Sequence, residues 1–148
     1  MRRRAILSLI ATCALGACVS QQTPSQLGGM SWSLGSNESE GAKLVFGAPN
    51  TDDVVMMLTC LPRSGAVQVW LTGAGARSIE LKSGAATSRL ASRDAEDYAA
   101  VVATAKPNDP ALMNFARTGR LAVAAGGSSI VLPGHPGDAG RFLTSCVG

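Results

Sequence analysis

From Ala42 to Ser92 the chain never keeps an apolar-rich segment going for more than eight residues before glycine, proline, serine or asparagine interrupts it. Ala42-Lys43-Leu44-Val45-Phe46 stops at Gly47-Ala48-Pro49-Asn50, and Val54 to Leu61 stops at Pro62-Arg63-Ser64-Gly65. Ala66 to Thr72 alternates apolar and polar residues, ends at Gly73-Ala74-Gly75 and is followed by the alternating stretch Arg77 to Lys82. Such lengths suit strands, and a period of two turns one side of each strand toward a core. The pattern predicts a mainly β fold, a small β-sandwich or partly open barrel. Val54–Leu61 and Ala66–Thr72 are expected to pair as a hairpin at the centre of the sheet, and Gly73-Ala74-Gly75 reads as a hairpin turn. Thr87–Ser92 and Tyr98–Thr104 are strand candidates whose alanines fit a helix equally well. One or two short helices are expected, near 110–117 and 138–146. Asp109 suits an N-cap, Pro110 the first helical turn and Gly119 the stop of the first. Arg120–Ala124 and Ser128–Leu132, joined by Gly126-Gly127, predict a closing hairpin.

The N-terminus carries an address. Arg2, Arg3 and Arg4 precede an apolar run from Ala5 to Gly16 that is too short to cross a bilayer as a helix. Leu15-Gly16-Ala17-Cys18 resembles the lipobox of bacterial lipoproteins. The resemblance implies removal of residues 1–17, lipid on Cys18 and membrane attachment through that lipid. Val19 is not the aspartate that favours inner-membrane retention in such proteins, which implies the periplasmic face of the outer membrane. Residues 18–29, rich in Gln, Ser, Pro and Gly, are expected to form a flexible tether, and residues 30–148 a single β-rich domain.

Charge excludes one class of partner. Subtracting Arg2, Arg3 and Arg4 from thirteen Lys and Arg leaves ten, against ten Asp and Glu. A near-neutral domain offers no basic stripe for nucleic acid. The cysteines divide in the same way. Cys13 leaves with the signal and Cys18 takes lipid, so Cys60 and Cys146 remain. In an oxidising envelope compartment this pair is expected to form a disulfide, the alternative being two buried free thiols.

Catalytic signatures are sparse. The sequence has no GxSxG, HExxH, GxxxxGK[ST] or GxGxxG motif. His135 is the one histidine, with Asp138 three residues on, and two prolines and two glycines around it predict a surface turn rather than a general base or metal ligand. Asp52 and Asp53 sit in a turn cluster. Asp94, Glu96 and Asp97 lack the spacing of a calcium loop and read as a solvated loop. No catalytic, cofactor or metal site is therefore assigned, and no cofactor is expected. Trp32 and Trp70 read as core or sheet-edge packing, because six aromatic residues furnish only a thin sugar-stacking platform.

Two further resemblances bear on the domain. Leu81-Lys82-Ser83-Gly84, Ser88, Arg89 and a closing Cys146 resemble the membrane-bound inhibitors of C-type lysozyme, without the tyrosine of that family's motif. The resemblance implies a β-barrel with a polar loop near Lys82–Arg89 that enters an enzyme cleft. Phe46-Gly47-Ala48-Pro49, Asp52-Asp53 and the Phe142–Cys146 ending are similar to those of proteobacterial envelope proteins, a likeness that implies no activity. Taken together, the sequence points to a non-enzymatic binding or structural role, with an envelope protein or a cell-wall component as partner. Protein inhibition of lysozyme type and cell-wall hydrolysis are the alternatives. Hydrolysis would require His135 and a carboxylate to meet in a pocket.

Overall fold

The computed structural model describes residues 20–21 (backbone only), 27–73 and 75–147. Residues 1–17, expected to be a signal segment, Cys18 and Val19 fall outside this set, and with them the expectations of cleavage, lipid attachment and sorting.

The protein is mainly β. Nine antiparallel strands curl into a half-barrel, and two short helices accompany them. A short parallel edge strand, β1 (Ser20–Gln21), joins the nine, which are β2 (Ser31–Asn37), β3 (Gly41–Gly47), β4 (Val54–Cys60), β5 (Val67–Thr72), β6 (Ser78–Ser83), β7 (Ala86–Asp94), β8 (Ala100–Ala105), β9 (Leu121–Ala125) and β10 (Ser128–Leu132). They lie in the order β1-β10-β9-β6-β7-β8-β5-β4-β3-β2. β1, within the segment expected as tether, pairs in parallel with Ser128 and Ser129. Both ambiguous stretches are strands. In β8, Val101, Ala103 and Ala105 are buried on one face, the period of a strand rather than of a helix.

Two expectations about topology need correction. β4 and β5 do pair, but both lie toward one end of the sheet, whose middle is β7 and β8. Gly73-Ala74-Gly75 does not close a hairpin either. β8 occupies the edge of β5 that β6 would have used, so the chain leaves β5 and crosses to pair β6 with β7 and β9. Turn residues report a change of direction and not which edge is free. Strand β2 has few apolar residues to signal it, and only Trp32 and Leu34 pack against the core.

The helices α1 (Pro110–Thr118) and α2 (Pro136–Val147) pack on each other, α1 also on β6 and β7, α2 on β2 and β3. The Asp109 carboxylate accepts from the Ala111 and Leu112 amides and caps α1, and Gly119 at φ 71° closes it. Leu112, Phe115 and Phe142 are fully buried with Leu44, Phe46 and Leu58 in the core. Cys60 of β4 and Cys146 of α2 form a disulfide with Cα atoms 5.7 Å apart. The pair left by subtraction is the pair that bridges. Where the chain leaves β10, Gly134 crosses Gly119 so closely that a Cβ on Gly134 would sit 1.5 Å from the Gly119 carbonyl oxygen. Only glycine fits there.

Candidate binding groove

Strand alternation puts Leu58, Val69 and Val101 into the core and leaves the intervening residues on the outer face. Those residues are apolar over part of the sheet. Register sets Val45 beside Met57, Met57 beside Trp70, Trp70 beside Val102 and Val102 beside Arg93, a row crossing β3, β4, β5, β8 and β7. Val102 is 4% exposed although it faces away from Val101 and Ala103. The outer face thus carries an apolar strip of its own.

Tyr98 rises beside this strip from the link between β7 and β8. Three backbone bonds shape that link: the Ala95 amide donates to the Ala100 carbonyl (2.9 Å), Ala100 to Tyr98 (2.7 Å) and Gly73 to Ala99 (2.7 Å). The Tyr98 ring is 71% exposed and stands at 87° to Trp70, with centroids 6.3 Å apart. The Trp70 indole N–H donates to Thr59 Oγ1 (3.3 Å), which fixes the orientation of the ring. Met57, Trp70 and Tyr98 line a groove of about 630 Å³, with Asp52, Thr72, Lys43 and Glu40 also in its wall. That volume lies in the range of small-molecule sites. On its other side the aromatic pair borders a second depression of about 360 Å³, with Arg93, Glu96 and Asp97.

Charge around the groove is uneven. Lys43 is held by Glu40 at 2.7 Å. This hydrogen bond, and after it the one from Asn37, keep the Glu40 carboxyl below the usual glutamate range. Asp52, Glu96 and Asp97 form no ion pair among the described residues.

Of the residues singled out from sequence, Asp52, Trp70, Glu96 and Asp97 border the groove or the depression beside it, and the others lie elsewhere. His135 is a surface residue before α2, its side chain 73% exposed and its Nδ1 3.8 Å from Asp138, which also pairs with Arg141. Asp52 and Asp53 belong to the turn between β3 and β4, where the Asp53 amide donates to Thr51 Oγ1. No group of three His, Cys, Asp or Glu gathers at metal-binding distance among the described residues. Lys82–Arg89 form no protruding loop. Ser83 pairs with Ala86 across a two-residue turn, is 1% exposed and donates to the Arg120 carbonyl (2.7 Å). Trp32 packs as expected, 5.3 Å from Phe46 and 5.2 Å from Phe115. Trp70 does not share that role; it sits on the outer face. Two signals in the sequence mark the groove: Met57 fills the outward position in an unbroken apolar run, and Trp70 stands between Val69 and Leu71 where alternation calls for a polar residue.

The half-barrel also has an opening of about 380 Å³ at one end, between Val54 and Leu71 on one side and Val123 and Ile130 on the other. Its apolar wall is the end of the core itself.

No protein-family model, curated protein or solved structure matches the chain.

Proposed function

We propose that this is a lipid-anchored protein of the bacterial outer membrane, facing the periplasm, whose domain binds an envelope partner through the outer-face groove. Leu15-Gly16-Ala17-Cys18 supports the anchor. The gathering of Met57, Trp70 and Tyr98 on the face of the sheet turned away from the core carries the binding reading. A sheet face that serves only as a surface is served well enough by polar residues, as Gln68 and Thr104 serve the neighbouring row. Aromatic side chains are instead the residue types that dominate recognition surfaces.

The test is site-specific photocrosslinking in intact cells. A photoreactive residue at Thr72, in the groove, is compared with one at Val131, on an exposed strand far along the sheet. The expected result is a discrete adduct from position 72, identified by mass spectrometry and lost in Tyr98→Ala. Adducts that are equal at both positions, or unchanged by Tyr98→Ala and Trp70→Phe, overturn the binding reading. Acyl mass on Cys18, lost in Cys18→Ser, tests the anchor separately.

A further inference from the structure

We infer that the partner enters the groove as an extended polypeptide segment carrying lysine or arginine between apolar residues; this rests on the groove being the binding surface. Three observations point to that chemistry.

The first is the shape of the aromatic pair. Trp70 and Tyr98 meet at 87° and make a corner rather than a flat shelf. A pyranose ring needs one broad open aromatic face, and in an edge-to-face pair one face is covered by the neighbouring ring's edge, whereas a compact cation needs only the face that stays open. The second is charge. The groove and the depression beyond the aromatic pair are lined by four carboxylates, Glu40, Asp52, Glu96 and Asp97, against two cations, Lys43 and Arg93. Lys43 is already neutralised by Glu40, which leaves Asp52 on one side of the aromatic corner and, on the other, Glu96 and Asp97 against Arg93, a surplus of two carboxylates. A basic side chain lying across the corner keeps its alkyl stem on Met57 and Trp70 and brings its charge to these carboxylates. The third is size. The groove of about 630 Å³ and the depression of about 360 Å³ meet at the aromatic pair, and together they have room for several residues. A free amine fills only a small part of them.

Fluorescence anisotropy of labelled octapeptides with the full-length chain in zwitterionic micelles, corrected for binding to empty micelles, decides the matter. The probes are a peptide of alternating lysine and leucine, the same peptide with glutamine or glutamate for lysine, and a chitin tetrasaccharide as competitor. The lysine peptide is expected to bind at least about tenfold more tightly than the glutamine peptide and to weaken several-fold as salt is raised. Asp52→Asn, Glu96→Gln and Asp97→Asn together are expected to remove most of that preference. These residues are exposed or at the rim, so the fold is retained; Tyr98→Ala, at an equally exposed position, provides a second variant. Equal binding of lysine and glutamine peptides, displacement by the sugar, or indifference to the triple substitution overturns the inference. If the lysine peptide fails while the Tyr98-dependent crosslink at position 72 persists, the groove is still the binding surface and only its ligand class is wrong. Loss of that crosslink dependence sinks both.

Discussion

Asp109 does three things with one carboxylate. Its Oδ1 accepts from the Ala111 amide at 3.0 Å, the Leu112 amide at 3.2 Å and the Ser88 hydroxyl at 2.6 Å. The cap therefore also ties α1 to β7, through a serine that is itself buried. Asp109→Ala leaves two helix amides and a buried hydroxyl to find other partners, and is expected to lower stability by about 1–2 kcal/mol in urea denaturation. Asp109→Asn, which keeps an acceptor, should recover most of the loss. Glu40 offers a second check at this scale. Its carboxyl is held down by Lys43 and Asn37, so the turn between β2 and β3 gains from the ionised form. That gain is present above the ordinary glutamate value and is lost as pH falls through the lowered folded one. Carboxyl chemical shifts should show Glu40 titrating below the ordinary range in the wild type and moving up toward it in Lys43→Ala.

At the scale of elements, the fold depends on how α2 is held. The helix lies on β2 and β3 and is joined to β4 by Cys60–Cys146, which closes a loop with a sequence separation of 86 residues. In the chain-entropy model a loop of that size contributes about 4–5 kcal/mol, an upper-end figure. Cys146→Ser should lower the melting temperature markedly and speed amide exchange in α2 more than in β5 or β8. The same helix is approached through the Gly134–Gly119 crossing. Gly134→Ala forces the two backbones apart, because a methyl there meets a carbonyl oxygen rather than a movable side chain. A loss of several kcal/mol is expected, with the near-ultraviolet signal of Trp32 changed along with it, since Pro133 adjoins the crossing.

Trp32 matters at the scale of the whole molecule. It sits in β2, at one end of the strand order, and its indole N–H donates at 2.7 Å to the carbonyl of Pro133, just beyond β10 near the other end. One side chain thus links the two ends of a curled sheet that no strand pairing among the described residues closes. Trp32→Phe keeps a ring against Phe46 and Phe115 but removes the bond. The expected cost is about 1 kcal/mol, with faster hydrogen exchange in β2 and β10 and little change in β7 and β8. By contrast, Tyr98→Ala, on the outer face, should leave the melting temperature nearly unchanged while altering binding.

Local choices are written in the order of the residues. The strands β3 to β6, β9 and β10, the bounds of α1, the turn at Gly126-Gly127 and the Cys60–Cys146 pair follow from short-range patterns or from elimination. Alternation, capping and proline geometry act over a few residues and are legible there. Beyond the hairpins β4–β5 and β9–β10, the order of the strands was not legible. β5 finds β8 rather than β6, and nothing near residues 73–77 records which edge of the sheet is open. The groove was hidden for the same reason. Met57, Trp70 and Tyr98 are 13 and 28 residues apart along the chain, and only the pairing of β4, β5 and β8 sets them side by side. Ser83 illustrates the converse: a polar residue at a turn, it reads as exposed, yet α1 and Arg120 cover it. Exposure and adjacency are properties of long-range packing, so they were decided only when the sheet curled and the helices closed over it.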